Sequence, residues 1–273
     1  MSNFTQRAII ALTLGPLALY LTYLGGLYFF IPLTLILLSA TIEYGQLAQK
    51  LGLLPSIWIL CASSLAFYAA AQWADPPITS VIMVVALLIS LTYSLWLYET
   101  RTDGIALPTW MIMVGGVVLL GWLTSHFFRL REIEPMGWQW TILVFVSTWV
   151  ADSAAYVVGK FLAGNVLGKH HLSPRLSPNK TIEGYVGGVI IGTAGTLLTA
   201  YILHLPMVLA LGLGMLISIV GPLGDLGISL LKREAGVKDS GKTFRGHGGA
   251  LDRIDSLMWT TAIAFYIISF IQS

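Results

Sequence analysis

The sequence predicts an all-α polytopic membrane protein with about nine transmembrane helices and a polar site at the cytoplasmic helix ends of its C-terminal half. Only 10% of its 273 residues are charged, against about 25% in an ordinary soluble domain. The mean hydropathy is +0.80, and many apolar runs reach the roughly 20 residues that cross a bilayer. Residues 81–96 are apolar on every face, unlike the alternating strands of a membrane barrel. The composition therefore excludes a soluble enzyme.

Breaks in the apolar pattern divide the chain into candidate spans, each bounded by Gly, Pro or charged residues. The first apolar stretch runs directly into the second without a convincing cleavage site, so we expect an uncleaved first span. The only cysteine, Cys61, lies inside an apolar run, which excludes an intrachain disulfide. In order, the spans are residues 7–24, 27–47, 55–73, 78–98, 109–128, 138–159, 183–204, 207–231 and 255–271.

The positions of Lys and Arg predict the orientation of these spans. If the N-terminus is inside, the inner segments contain every Lys and Arg except Arg129 and Arg131. Positive residues concentrate in cytoplasmic loops, so we predict this orientation rather than its reverse.

Polarity is concentrated in two predicted cytoplasmic loops, residues 159–183 and 232–255. Residues 1–130 are almost wholly apolar spans, which predicts a membrane scaffold with possible oligomer contacts. Residues 131–273 are predicted to form the catalytic membrane domain. The net charge of +2 gives no indication of a nucleic-acid partner, and none is expected.

The segment 221–255 carries the strongest chemical signal. Asp225 lies inside a predicted span, where a charged group costs about 2.5–3.5 kcal/mol, so a partner or a metal is expected. On a helix, Asp225, Ser229 and Lys232 share one face, with Arg233 beside them at the cytoplasmic end. This helix face is acidic within the membrane and basic at the cytoplasmic end of the span.

Asp252 and Asp255 stand three residues apart at the start of the last span, where helix capping is the alternative interpretation. With Asp225 they could converge near the membrane boundary. Mg²⁺ usually takes one or two carboxylates from a protein, together with phosphate oxygens. Nearby basic side chains would neutralise phosphate charge; they are Lys232, Arg233, Lys238, Lys242 and Arg245.

A second polar segment follows the sixth predicted span. Asp152 lies near a cytoplasmic helix end, where it could also be a satisfied polar residue in a helical bundle. Ser177, Lys180 and Thr181 form a predicted polar loop before a helix, a place that can hold a phosphate. An ordinary helix cap at Ser177 or Thr181 is the alternative. Glu43, near the end of an early span, is assigned no function.

Residues 229–255 resemble the signature of the phosphatidate cytidylyltransferases, the CDP-diacylglycerol synthases. Residues 149–160 and 177–184 resemble two further elements of that family, D-x-x-A-Y-x-x-G and S-P-x-K-T-x-E-G. Two positions, Arg245 and Ala250, depart from the signature. The matching residues are Ser229, Leu231, Lys232, Arg233, Lys238, Asp239, Gly241, Phe244, His247, Gly248, Gly249, Asp252, Arg253 and Asp255.

The resemblance implies transfer of the cytidylyl group of CTP to phosphatidate in the bilayer, giving CDP-diacylglycerol and pyrophosphate, in phospholipid biosynthesis. It implies Mg²⁺, a second, monovalent cation such as K⁺, a bacterial cytoplasmic (inner) membrane with the site facing the cytoplasm, and a possible homodimer. The implied catalytic residues are Asp225, Asp252, Lys232 and Arg233, and the implied metal ligands are Asp225, Asp252, Asp255 and Asp152. The implied substrate-binding residues are Ser177, Lys180, Thr181, Lys238, Asp239, His247 and Arg253.

Three other functions are compatible with parts of this pattern. A CTP-dependent polyprenol kinase shares the membrane and the nucleotide but transfers the γ-phosphate. A CDP-alcohol phosphotransferase is disfavoured because its D-G-x2-A-R element is absent. An ion-coupled transporter could use Asp152 and Asp225 as an intramembrane pathway, but it would not need the Lys-, Arg- and Gly-rich segment 232–249.

Overall fold

The computed structural model of the chain describes residues 3–74, 76–164, 166, 168–241, 243 and 248–272. Over this part of the chain every predicted span overlaps a helix, and the all-α membrane architecture is confirmed. The helices that precede residue 132 are α1 (Asn3–Leu24), α2 (Gly26–Lys50), α3 (Ile57–Trp73), α4 (Pro76–Thr100), α5 (Ala106–Gly116) and α6 (Thr124–Arg131). The later ones are α7 (Gly137–Phe161), α8 (Ile182–Ile202), α9 (Met207–Glu234), α10 (Leu251–Ile254) and α11 (Leu257–Gln272).

Length and apolar composition identify the membrane-crossing helices. Within the described residues, seven helical stretches are long and apolar enough to cross a bilayer, among them Ala106–Arg131 and Leu251–Gln272 as continuous stretches. The α3 helix has 17 residues and is a shorter apolar helix. The chain is therefore an integral membrane protein.

By packing, the chain forms two compact units. The first contains residues 1–132 and 231–254, and the second contains residues 133–230 and 255–273. The last turn of α9 and the polar segment after it thus belong to the same unit as α1–α6. The prediction that residues 131–273 carry the catalysis concerns function rather than packing, and it stays a prediction.

In the first unit α3 packs against α2, α4 and the segment that joins α5 to α6. That segment, Val117–Leu123, is π-helical, which the sequence did not predict. The Leu120 carbonyl accepts hydrogen bonds from the buried Tyr68 hydroxyl and from Thr124 Oγ1 at 2.6 Å. These two donors satisfy a carbonyl in a segment where regular α-helical bonding is interrupted.

In the second unit α7 and α8 pack closely together. Gly184, Gly188 and Gly192 recur every four residues along α8, and a Cβ at Gly188 would lie 2.9 Å from the Ala155 Cβ and 3.0 Å from the Ala151 carbonyl oxygen. Small residues at this spacing let two membrane helices approach to backbone contact.

A short hairpin precedes α8 where the sequence predicted only a polar loop. Strand β1 (His171–Ser173) pairs antiparallel with β2 (Ser177–Thr181), with Ser173 opposite Ser177. The hairpin leads directly into α8, and the Thr181 side chain caps that helix by accepting the N–H of Gly184 at 3.0 Å. The hairpin therefore fixes where α8 begins.

Candidate active site

The first group of polar residues, which we call the Asp225 cluster, consists of Asp152, Lys180, Asp225 and Ser229 in the second unit. Helix α7 supplies Asp152, strand β2 supplies Lys180, and α9 supplies the other two. Lys180 Nζ and Asp225 Oδ2 are 2.6 Å apart in an ion pair that is about one-third exposed, at 27% and 34% of the two side chains. Ser229, one turn further along α9, donates to Asp225 Oδ1 at 3.2 Å. The intramembrane carboxylate thus has the partner that its position requires.

Asp152 brings a second negative charge to the Asp225 cluster. Its carboxylate interacts electrostatically with two members of the cluster, unfavourably with Asp225 and favourably with Lys180. Two carboxylates therefore share one ammonium, which leaves the cluster with a net charge of about −1 when all three groups are ionised. This excess charge favours binding of a further cation.

Asp255 is also in the second unit and is 9% exposed. Its Oδ1 accepts the backbone N–H of Ser256 at 2.8 Å. This contact is with the next residue, whereas a helix cap accepts the N–H of the second or third residue of its helix.

The second group, which we call the Glu43 cluster, consists of Glu43, Lys232, Ser240 and Asp252 in the first unit. Lys232 Nζ lies 2.6 Å from Asp252 Oδ1, and both side chains are less than 10% exposed, at 9% and 8%. Asp252 Oδ2 accepts the backbone N–H groups of Ser240 at 2.9 Å and Gly249 at 3.0 Å. The backbone at Ser240 and at Gly249, on either side of the signature loop, thus binds a carboxylate that is paired with one ammonium.

Glu43 is the residue of this cluster to which sequence reasoning gave no function. It lies on α2 and is 4% exposed, and it hydrogen-bonds to Ser240 at 2.8 Å. The sequence did contain one feature that pointed to Glu43: it is an ionisable side chain within an apolar span, and such a residue usually has a function or a charged partner.

The remaining predicted site residues lie in several different surroundings. Arg233 is exposed and donates to the Val237 carbonyl at 3.0 Å. Lys238, Asp239 and Arg253 are exposed, and Ser177 is half-buried in β2. The Thr181 hydroxyl accepts a hydrogen bond as a helix cap, which is the role that the alternative interpretation gave it. His247, Lys242 and Arg245 lie outside the described residues.

The predicted metal ligands fall into both units: Asp152, Asp225 and Asp255 in the second and Asp252 in the first. Among the described residues, no group of three or more His, Cys, Asp or Glu side chains is arranged to hold a metal ion. The Asp152 and Asp225 pair nevertheless has the chemistry of a magnesium site, because Mg²⁺ needs only one or two carboxylates and completes its shell with water and phosphate oxygens.

Comparison with known proteins gives one consistent result. The model of the Cytidylyltransferase family matches residues 5–271. A protein of Synechocystis sp. named phosphatidate cytidylyltransferase is 34% identical over 296 aligned residues, which cover 97% of this chain and 96% of that protein. Proteins with the same name from Brucella suis and Bacillus subtilis are 32% and 30% identical, and the alignments cover 97% and 98% of this chain and 93% and 99% of theirs.

Proposed function

This chain belongs to the Cytidylyltransferase family, as its motifs predicted, and we propose that the Asp225 and Glu43 clusters are the parts of it that serve catalysis. The reaction is the transfer of the cytidylyl group of CTP to phosphatidate, which gives CDP-diacylglycerol and pyrophosphate for phospholipid biosynthesis. One observation carries the proposal: in a chain with 10% charged residues, the family motifs supply both partners of the ion pair Lys232–Asp252 and the lysine of the ion pair Lys180–Asp225.

The chemistry needs no protein nucleophile. A phosphatidate phosphate oxygen attacks the α-phosphorus of CTP, the bond from that phosphorus to the oxygen bridging the β-phosphate breaks, and pyrophosphate leaves. Such transfers depend mainly on positioning and on neutralisation of phosphate charge. The protein must therefore hold cations in fixed places at the membrane surface.

Lys232 and Lys180 are suited to this role. An ammonium has three donors; among the described residues one donor of each lysine is directed to a carboxylate, and we propose that the other two bind phosphate oxygens. Asp252 and Asp225 fix the two ammonium groups in place. Arg233 is proposed to neutralise phosphate charge beside Lys232. We propose substrate contacts also for Ser177, Thr181, Lys238, Asp239, His247 and Arg253.

Asp152 and Asp225 are the proposed ligands of Mg²⁺, because their negative charge exceeds that of their one ammonium partner. When bound, the ion would neutralise charge on the phosphates. Asp252 has less capacity for a metal: its Oδ2 already accepts two N–H groups, and only one lone pair remains on Oδ1 beside Lys232. A metal-ligand role for Asp252 and Asp255, and a second cation such as K⁺, are proposals from the family resemblance alone.

The proposed location is a bacterial inner membrane with the site open to the cytoplasm. The positions of Lys and Arg support this orientation, and the relatives named above come from bacteria. CTP is highly charged and water-soluble, so it must reach the site from the aqueous side. A homodimer is proposed as the oligomeric state, to be measured by light scattering of the purified protein.

Product analysis tests this proposal. The full chain, purified in nanodiscs, is incubated with phosphatidate and CTP labelled at the α-phosphorus. We expect the label in the lipid and release of pyrophosphate. Label that stays in CDP would contradict the proposal, since a polyprenol kinase transfers only the γ-phosphate.

A matched pair of lysine variants tests the role of the Asp225 cluster. Lys180→Met should lower kcat by about 10²–10³-fold, the usual effect of removing one charge-stabilising group from an active site. The same substitution at the exposed Lys169 should leave kcat unchanged. Equal rates for the two variants would refute a role for Lys180.

A further inference from the structure

Glu43 is buried within a mostly apolar helix, and the mechanism above gives its carboxylate no role of its own. Glu43 is 4% exposed and lies seven residues before the end of α2 at Lys50. A charged group within a membrane helix is costly unless polar partners surround it. Its partners therefore indicate what this residue does.

Among the described residues, the side-chain hydrogen bonds of Glu43 all come from one short segment of the sequence, residues 240–251. Oε1 accepts from Thr243 Oγ1 at 2.5 Å and from the Ala250 N–H at 2.9 Å. Oε2 accepts from Ser240 Oγ at 2.8 Å and from the Leu251 N–H at 3.0 Å. A carboxylate offers about four lone-pair sites, so these four donors saturate it.

The backbone at Gly241 and at Gly249 in this segment lies directly against the carboxylate. A Cβ atom at Gly241 or at Gly249 would collide with the carboxylate oxygens of Glu43. Both glycines lie within the family signature, and in this chain neither position has room for a side chain. The segment and Glu43 thus fit each other sterically as well as through hydrogen bonds.

Ser240 connects Glu43 to Asp252. Its Oγ lies 2.8 Å from Glu43 Oε2 and 2.9 Å from Asp252 Oδ2, and a hydroxyl has only one proton to donate. Oδ2 already accepts two backbone N–H groups, so the proton is needed at Glu43. The backbone N–H of the same serine binds Asp252, which in turn holds Lys232.

We propose that Glu43 is a positioning residue for the cytidylyl transfer: it anchors both ends of the 240–251 segment, at Ser240 and at residues 250–251, and these ends fix the Lys232–Asp252 ion pair. This inference rests on the proposed function, because the ion pair is a part of the catalytic apparatus only if that function holds. Glu43 acts through Ser240 and the loop backbone, and it makes no contact with the reacting groups.

Glu43→Gln is the most direct test. Whichever way the amide turns, its NH₂ group faces the backbone N–H of either Ala250 or Leu251, which then lacks an acceptor. We expect kcat to fall by about 10- to 100-fold, the effect of one buried N–H left unpaired, while KM for phosphatidate stays within about threefold. Glu99→Gln, at an exposed carboxylate on α4, is the control and should keep the wild-type kcat.

Limited proteolysis measures the loop directly and without reference to activity. Trypsin can cleave after Lys238, Lys242 and Arg245. In Glu43→Gln this cleavage should be faster by about 10- to 100-fold than in the wild type, since the free energy of opening the loop decreases by the same lost hydrogen bond. Glu99→Gln should be cleaved at the wild-type rate.

Different failures of this experiment have different meanings. Wild-type kcat together with wild-type cleavage in Glu43→Gln would overturn the inference. If the wild-type protein makes no CDP-diacylglycerol, the proposed function fails, and the cleavage rates alone then decide whether Glu43 anchors the loop.

A second pair of variants covers the case in which Glu43→Gln does not fold. Ser240→Ala and Thr243→Ala each remove one donor and leave the carboxylate in place. Each should lower kcat and raise the cleavage rate by about 10- to 100-fold, the effect of one hydrogen bond to a charged group. Unchanged kcat and cleavage in both variants would also overturn the inference.

Discussion

Three buried or partly buried carboxylates in the two clusters each have polar partners. Asp225 pairs with Lys180, Asp252 pairs with Lys232, and Glu43 accepts four hydrogen bonds. A charged group in a hydrocarbon-like setting requires this compensation. The sequence could predict that Asp225 needs a partner, but it could not predict that Lys180 is the partner, because strand β2 and helix α9 meet only in the folded chain.

The excess charge of the Asp225 cluster leads to a prediction about metal dependence. Asp225→Asn removes one of the two carboxylates near Lys180, so the Mg²⁺ concentration that gives half-maximal rate should rise by about 10-fold or more. Initial rates measured against added MgCl₂ test this. Asp103→Asn, in an exposed pair with Arg101, should behave as the wild type does. Full wild-type activity in excess EDTA would refute the metal assignment.

Most helices of this chain could be predicted from the lengths of the apolar runs and the breaks between them. The bounds differ by a few residues, as at α2, which ends at Lys50 rather than at residue 47. Two elements could not be predicted. The π-helical segment Val117–Leu123 lies beside a tyrosine of another helix that binds one of its carbonyl groups, and the β1–β2 hairpin is too short to show a periodic pattern.

The packing of α7 against α8 leads to a prediction at this scale. Gly188→Val should reduce the free energy of unfolding by about 1–3 kcal/mol, because added methyl groups would meet Ala151 and Ala155 at close range. Unfolding of the purified protein in a detergent and SDS mixture measures this. The same substitution at Gly212 on α9, where a Cβ meets nothing within 4 Å, is the control. Equal stability of the two variants would contradict the prediction.

At the scale of the whole molecule, the scarcity of charge is what made the candidate site predictable. With so few charged residues, the two segments that contain most of them had to carry the polar chemistry, and both clusters draw residues from those segments. The contribution of Glu43 could not be predicted, since about 200 residues separate it from its partners. Only the fold brings α2 to the signature loop.

The distribution of Lys and Arg predicts how the protein lies in the membrane. In a Cys61→Ala background, Glu134→Cys should react with an impermeant maleimide on intact cells, whereas Arg175→Cys should react only after lysis. Both positions are exposed. Mass spectrometry of the labelled protein measures this, and the reverse pattern would refute the proposed orientation.

The hydrogen bonds of Glu43 have a consequence for protein engineering. The signature segment cannot be moved into another protein by itself. Its Ser240, Ala250 and Leu251 donate hydrogen bonds to Glu43, which lies on a helix near the start of the chain. A shortened enzyme without the first helices would leave Ala250 and Leu251 N–H groups without their acceptor. Any transplant of this motif into another helical scaffold must therefore bring a glutamate on a neighbouring helix, with glycine at the positions of Gly241 and Gly249.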